Sequence, residues 1–222
     1  MKLFGIIGAG GMGREVMPLA VRQPAHQMIS QAEAEYAFVV EDHYLGDIRA
    51  VNGHRVLSLS EFMAAQASER FYTVAIGSGE ARERISRSIP PSIATPFDVR
   101  TGSFEEGSAN DIGEGAVFCN FTVVTSNTKI GRFFQCNMGS TIGHDCVIGD
   151  YVTLAPGARV NGRVTIEDHA FIGSGAIIVD GTKKPIVIGK GAVIGMGSVI
   201  LDSVPAGATV FGNPSRVYAR AS

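Results

Sequence analysis

The chain has 222 residues, which allows one large domain or two compact ones and a substantial buried core. Only 18% of its residues are charged, against 45% hydrophobic and 28 glycines, a composition that excludes intrinsic disorder. Nineteen basic and 21 acidic side chains leave a net charge of −2, so no global field draws the chain to nucleic acid or to an anionic membrane, and an anionic ligand must be held by local geometry.

In chain order, a predicted strand at Leu3–Ile7 runs into Gly8-Ala9-Gly10-Gly11-Met12-Gly13 and then a helical stretch from Arg14 to Val21. The segment after Lys2 has the outline of a signal peptide. Its glycines suit a turn better than an apolar h-region, and Arg14-Glu15 interrupts it with no small-x-small cleavage site. Read as G-x-G-x-x-G between strand and helix, it is a geometry in which backbone N–H groups and a helix N-terminus hold a pyrophosphate. Further strands at Tyr36–Val40 and Tyr72–Ile76, with helices at Leu59–Ala67 and Glu80–Arg87, predict a small α/β domain. A nicotinamide dehydrogenase fits poorly. About 90 residues are too few for two mononucleotide-binding halves, and Glu41-Asp42 comes later than the usual offset of ~20 residues. Pro90-Pro91 and Pro96 break any helix and mark a linker, giving expected domains at 1–91 and 92–222.

Beyond the linker the composition changes. From residue 112 onward there are twelve isoleucines and fourteen valines but two leucines, a bias toward strand without helix. Steps of six from Ile112 land on Phe118, Val124, Ile130, Cys136, Ile142, Ile148, Leu154, Val160, Ile166, Ile172 and Ile178, all apolar. The residue four later is small or β-branched in every unit but the one containing Phe134. The frame skips four residues around Lys183-Lys184-Pro185 and resumes at Ile188, Ile194 and Ile200. So short a repeat is a hexapeptide solenoid: a triangular coil of three short strands per 18-residue turn, apolar position inward, stacked at the strand spacing of ~4.8 Å. About five turns fit, with a degenerate one before them. Cys119, Cys136 and Cys146 are odd in number and lack C-x-x-C spacing, which disfavours disulfides and structural zinc and fits a reducing cytoplasm. Cys136 and Cys146 fall on inward and small positions, where core packing accounts for them. No uncharged apolar run reaches membrane-spanning length.

The units I-G-E-G-A-V, I-G-H-D-C-V, I-G-D-Y-V-T, I-G-S-G-A-I and I-G-K-G-A-V, with the closing VPAGATVFGNPSR, resemble the hexapeptide-repeat acyltransferases. The GAGGMG turn, the acidic pair at 41, AIGSGEAR near 76 and NMGSTIGHDCVIGD narrow the resemblance to bacterial nucleotide-sugar acetyltransferases of the bacillosamine and perosamine N-acetyltransferase type, grouped with sialic-acid O-acetyltransferase-like proteins. The resemblance implies a Rossmann-like βαβαβ domain followed by a left-handed parallel β-helix. It also implies an acetyl-CoA-dependent N-acetyltransferase acting on a nucleotide-linked 4-amino-6-deoxy sugar, with no metal, in a cytoplasmic homotrimer whose coenzyme lies between neighbouring coils. Sugar O-acetylation and a non-catalytic nucleotide-binding scaffold are the alternatives.

By the same resemblance, His144 is the catalytic base and Asp145 its carboxylate partner. An imidazole takes the amine proton as the amine attacks the thioester, and a carboxylate fixes its tautomer. The developing oxyanion needs a donor, for which a backbone N–H suffices. Gly162, 18 residues after His144 and so one turn along, matches a family glycine near the acetyl group. A glycine there would also serve a corner that needs unusual φ. Coenzyme contacts fall on Thr153, Gly173, Ser174, Gly195 and Met196, of which Thr153 stands for a frequent His and Met196 for a usual small residue. Lys183, Lys184 and Arg216 are candidates for the coenzyme phosphates. The nucleotide-sugar falls to Gly10, Gly11, Met12, Glu41, Asp42 and Gly77, with Met12 where the family often has His and Glu41 where it often has Asp. His169 is expected at the surface, and His26, His43 and His54 carry no paired signal.

Overall fold

The computed structural model describes residues 1–23 and 33–218; His26 lies outside the described residues. In chain order the first part forms β1 (Lys2–Ile7), α1 (Gly11–Arg22), β2 (Ala34–Val40), α2 (Asp42–Leu45), β3 (Ala50–Val51), β4 (His54–Ser58), α3 (Leu59–Ala64), β5 (Glu69–Val74), α4 (Gly79–Ser88) and β6 (Thr95–Pro96). The sheet order is β3-β4-β2-β1-β5-β6, parallel throughout except for the β3–β4 hairpin. Strands covered on both faces read as near-continuous apolar runs, here LFGII and FVV. Val16, Met17 and Ala20 of α1 join Phe4, Ile6 and Phe38 on one face, while Phe62 of α3 and Ile85 of α4 join Leu3, Val39 and Val74 on the other. Ser58 starts α3 with a capping box, its hydroxyl accepting from the Glu61 N–H and Glu61 accepting from the Ser58 N–H. The hairpin is absent from the sequence reading because Val56-Leu57 is too short an apolar run to stand out.

The sheet continues past residue 91. Phe71 pairs with Thr95 in β6, and the coil begins at Val99, so the junction lies between Pro96 and Val99. Proline is tolerated in β6 because that strand is an edge.

The second part winds through three parallel sheets whose strands, two or three residues long, pair 18 residues apart up to the inserted loop and 22 apart across it. Val117 pairs with Gln135, Gln135 with Thr153 and Thr153 with Phe171 on the first face; Thr141 with Arg159 on the second; Lys129 with Val147 on the third. Every inward position from Phe118 to Ile200 is at most 4% exposed, and Ile112 in the first turn is half-buried. Phe134 fits its small position because Phe118 and Phe104 widen that end of the core, with ring centroids 5.8 Å (Phe118–Phe134) and 4.3 Å (Phe104–Phe118) apart. Val99 and Phe104, ahead of Ile112, belong to the expected degenerate turn, with Val99 paired to Val117. The corners after the first four second-face strands carry a left-handed residue, as at Asn127, Asp145 and Arg163 with φ 59°, 58° and 58°. The skipped residues form a loop at the next such corner, so that Ile166 pairs with Ile188. An antiparallel return, Thr209–Phe211 against Arg216–Val217, closes the far end.

The two parts are locked together through α4. Arg82 is fully buried, donating from Nε to Phe133 O (3.0 Å) and from its terminal nitrogens to the carbonyls of Ile76, Gly77, Tyr151 and Val152 and to Gln135 Oε1. Burial pushes its pKa down to about 9, which leaves it charged at neutral pH. Beside it, Tyr72, Phe133, Tyr151 and His169 stack in a column with centroid spacings of 6.0, 5.7 and 5.3 Å. His169 is therefore not the surface residue expected. It points outward from the coil but is covered by α4, its side chain 10% exposed and its Nε2 3.0 Å from Glu83.

Candidate active site

Of the four glycines in GAGGMG, two are required by packing and two leave open space. Gly8 has φ +110°, and a Cβ on it would lie 2.7 Å from Ala75 O; a Cβ on Gly13 would lie 1.8 Å from Gly8 O. These two let α1 approach β1 closely. Gly10 and Gly11 are exposed, and a Cβ on either would meet nothing within 4 Å. Gly10 is the N-cap of α1 and offers no side-chain cap, so the first N–H groups of a twelve-residue helix open onto that space. Met12 is half-buried against the α1 core.

The acidic pair at the end of β2 is already engaged. Glu41 is held by both terminal nitrogens of Arg84, and the Glu41 carboxyl lies below its usual range chiefly through that hydrogen bond. Asp42 accepts from the N–H and hydroxyl of Ser60 at 3.3 and 3.0 Å, and hydrogen bonding from Ser58 lowers its carboxyl most. Gly77 is exposed, with its carbonyl taking Arg82 and Thr153. His43 lies against Tyr44 with ring centroids 4.0 Å apart and the planes tilted by 44°, and His54 lies 3.4 Å from Tyr36 O, so neither joins a chemical cluster.

The coil's chemical corner follows its second face. Backbone bonds fix His144 from both neighbouring turns: Asp145 N donates to Ser126 O (3.0 Å), and His144 O accepts from Arg163 N (2.8 Å). The left-handed conformation at Asp145, one an aspartate tolerates, sets its carboxylate against the ring of the preceding residue. His144 Nδ1 and Asp145 Oδ2 are 2.7 Å apart, and the hydrogen bond from His144 is the main cause of the lowered Asp145 carboxyl. A carboxylate at Nδ1 calls for the N–H there and leaves Nε2 as an acceptor. Both side chains are nearly half exposed, at 47% and 42%.

Gly162 stands one turn above, and its role is spatial. A Cβ there would lie 2.7 Å from both Cε1 and Nε2 of His144 and 2.9 Å from Asp180 Oδ2. Its φ is not positive; the left-handed residue of that corner is Arg163, so the alternative of unusual φ is set aside. Among the described residues the Gly162 N–H has no backbone acceptor, which leaves it available as a donor.

Three residues here are new to the site. Arg163 reaches Asp145 at 3.8 Å and Asp180 at 3.9 Å and donates to Thr182 Oγ1 at 2.8 Å. Asp180, half-buried at the start of the inserted loop, accepts from Thr182 N at 2.7 Å. Asn127, one turn below, hydrogen-bonds Asp145.

The expected coenzyme residues gather elsewhere. Gly173, Ser174, Gly195 and Met196 line the corner between the first and second faces, one strand away from His144 in the same coil. A Cβ on Gly195 would overlap the Phe211 ring (1.9 Å), and one on Gly173 would strike the next turn's backbone (2.6 Å), so both glycines have packing reasons. Ser174 is exposed and Met196 is 79% exposed. Thr153 corrects the expectation: it is 3% exposed, and its hydroxyl donates to Gly77 O at 3.3 Å, so its side chain is spent on the junction. Lys184 is paired with Asp202 at 2.7 Å, Lys183 is exposed, and Arg216 is exposed with a donor on Ser215 O.

Comparisons with known proteins agree with this geometry. Residues 127–162 match the bacterial transferase hexapeptide (six repeats) and residues 163–202 the hexapeptide repeat of succinyl-transferase. The chain is 44% identical over 221 residues, 99% of its length and 98% of the relative's, to GDP-perosamine N-acetyltransferase of Escherichia coli O157:H7. WeeI from Acinetobacter baumannii AYE superposes with a TM-score of 0.90 at 43% identity, covering 98% of this chain and all of that one. The acetyltransferase domain of PglB from Neisseria gonorrhoeae, solved with acetyl coenzyme A, gives 0.82 at 27% identity, with 98% of both chains covered. A parallel coil of hexapeptide repeats, a histidine–carboxylate corner and near full-length identity to such a relative place the chain in the hexapeptide-repeat nucleotide-sugar acetyltransferase family, and it is an acyltransferase.

Proposed function

We propose that the chain transfers the acetyl group of acetyl-CoA to the amine of a nucleotide-linked 4-amino-6-deoxy sugar, with a GDP-linked sugar as first candidate from its relative. The observation that carries this is His144, its Nδ1 engaged by Asp145 and its Nε2 facing the space that Gly162 leaves empty. The neutral amine attacks the thioester carbonyl carbon, His144 Nε2 takes one amine proton, and the C–S bond breaks as the thiolate leaves and receives that proton from His144. Asp145 positions the ring, and the Gly162 N–H donates to the oxyanion. The open N-terminus of α1 at Gly10 and Gly11 receives the diphosphate, with Met12, Glu41, Asp42 and Gly77 around the nucleotide.

The first domain is read as Rossmann-like and the coil as left-handed, as in the resembling family. Ser174, Met196 and the backbone of Gly173 and Gly195 are assigned to the coenzyme. Because that corner lies a strand away from His144 within one coil, each site is assigned to two coils of a homotrimer. A thiol-release assay with acetyl-CoA and GDP-, UDP- and dTDP-linked 4-amino sugars tests the reading, with the GDP sugar expected to turn over fastest. Thiol release only with hydroxyl acceptors, or with none, would overturn it.

A further inference from the structure

The space at Gly162 is bounded by two groups, and only one has a role so far. The point where a Cβ would stand is 2.7 Å from His144 Nε2 and 2.9 Å from Asp180 Oδ2, so an atom just outward of it faces a base and a carboxylate together. Asp180 is held in place through its other oxygen, which accepts from Thr182 N at 2.7 Å. Arg163 stands 3.9 Å from Oδ2, too far for a hydrogen bond, and spends its short bond on Thr182. Oδ2 thus keeps acceptor capacity toward the site. Hydrogen bonding from Thr182 first, and then the charges of Arg163 and His144, hold the Asp180 carboxyl below its usual range, so it is ionised at neutral pH.

We propose that Asp180 binds the acceptor and selects an amine over a hydroxyl, its Oδ2 receiving one N–H of the attacking amine while the other faces His144. This deepens the acetyl-transfer reading and rests on it. A neutral amine carries two protons. As its lone pair forms the C–N bond, the nitrogen becomes cationic with both protons in place. One passes to His144 and ends on the departing thiolate; the other stays on the amide nitrogen and is held by Asp180 throughout. Amine and thioester become amide and thiol, with no other reactant. A hydroxyl has one proton, which goes to His144, and its oxygen would then face the Asp180 carboxylate with nothing to donate. The site therefore favours the amine both in binding and as positive charge develops on the nitrogen.

The test uses the full chain, acetyl-CoA, a GDP-linked 4-amino-6-deoxy sugar and its counterpart with a 4-hydroxyl group. Calorimetry should show wild type binding the amine more tightly than the hydroxyl compound. Asp180→Asn and Asp180→Ala should weaken amine binding about tenfold and lower its turnover at least as much, leaving affinity for the hydroxyl compound, affinity for acetyl-CoA and Tm unchanged. A role confined to shaping the loop would weaken both sugars alike, and that result overturns the proposal, as does an undiminished amine preference in both variants. If wild type itself releases no thiol with the amino sugar, the acetyl-transfer reading falls and the proposal falls with it. If wild type turns over and only the preference persists in the variants, the reading stands and Asp180 alone is excluded.

Discussion

Gly162→Ala separates geometry from stability at one atom. The backbone accepts alanine, because φ at this position is not left-handed. The added methyl would stand 2.7 Å from two ring atoms of His144 and 2.9 Å from Asp180 Oδ2, where ordinary contacts need about 3.5 Å or more. The ring and the carboxylate must each retreat by roughly 0.5–1 Å. Both are ends of partly exposed side chains, so they can move without disturbing the core, and Tm should change by less than about 2 °C. Misplacing a reacting group by ~1 Å costs on the order of 10²-fold in rate, or about 2.7 kcal/mol of transition-state stabilisation. Turnover followed by thiol release should therefore fall ~30–100-fold while affinity for acetyl-CoA, measured by calorimetry, holds. Wild-type kcat in a folded Gly162→Ala protein would refute the claim that the reaction runs in this space.

His144→Ala should lower kcat by roughly 10²–10⁴ and Asp145→Asn by less, with Tm unchanged for both; near-wild-type turnover of the first sinks the assignment of the base. Asp145 and Asp180 have depressed carboxyls, so their charges persist as pH falls through the usual carboxylate range near 4 and are lost only below it. An acid limb of the rate profile near neutrality should accordingly not come from these two carboxylates, and a profile flat from about pH 5.5 to 8.5 argues against general base catalysis. Arg82→Met leaves the junction carbonyls without donors and should cost about 3–5 kcal/mol, lowering Tm by on the order of 10 °C; a fall under about 2 °C would show that Arg82 does not hold the domains together. In a shared-site trimer, co-expressing inactive His144→Ala chains with inactive variants of the 173–196 corner should restore part of the activity, and verified hybrids without it would mean each coil carries a whole site.

The coil was legible because each turn repeats its own requirement: one inward residue in six must be apolar and the residue four later small, whatever the rest of the chain does. His144 stood out for lying off that register with Asp145 beside it, and a step of 18 found Gly162. A second step of 18 lands on Asp180, at the start of the inserted loop. Thr182, which orients Asp180, falls on the small position of the last unit before the frame skips, and the structure turns it out to the surface, so the period does not report its contact with Asp180. Arg82 was invisible because α4, GEARERISRS, reads as a solvated helix. Its burial depends on carbonyls of Phe133 and Tyr151, about 50 to 70 residues away, whose availability no local pattern reveals. His169 misled for a related reason, since the repeat tells which way a side chain leaves the coil and not what another domain lays over it.

The division of labour inside each hexapeptide explains where the chemistry sits. Two positions are consumed by packing, as Ile142 and Cys146 are in the unit that holds His144; both have no exposure. The glycine after the inward residue is consumed as well, because a Cβ on Gly143 would stand 2.6 Å from Gly162 N in the next turn. What remains are the corner residues, whose backbone is pinned by bonds to the turns above and below and whose side chains point away from the core. A histidine or an aspartate placed there gives up no core packing and is held as firmly as the coil itself. Gly162 breaks the pattern in an informative way. The glycine that packing requires in such a unit follows the inward residue directly, as at Gly143 and Gly173, whereas Gly162 follows Val160 by two and meets side chains rather than backbone. Its missing side chain keeps open a space that His144 and Asp180 border, so a side chain at this position would act on the reacting groups and not on the core.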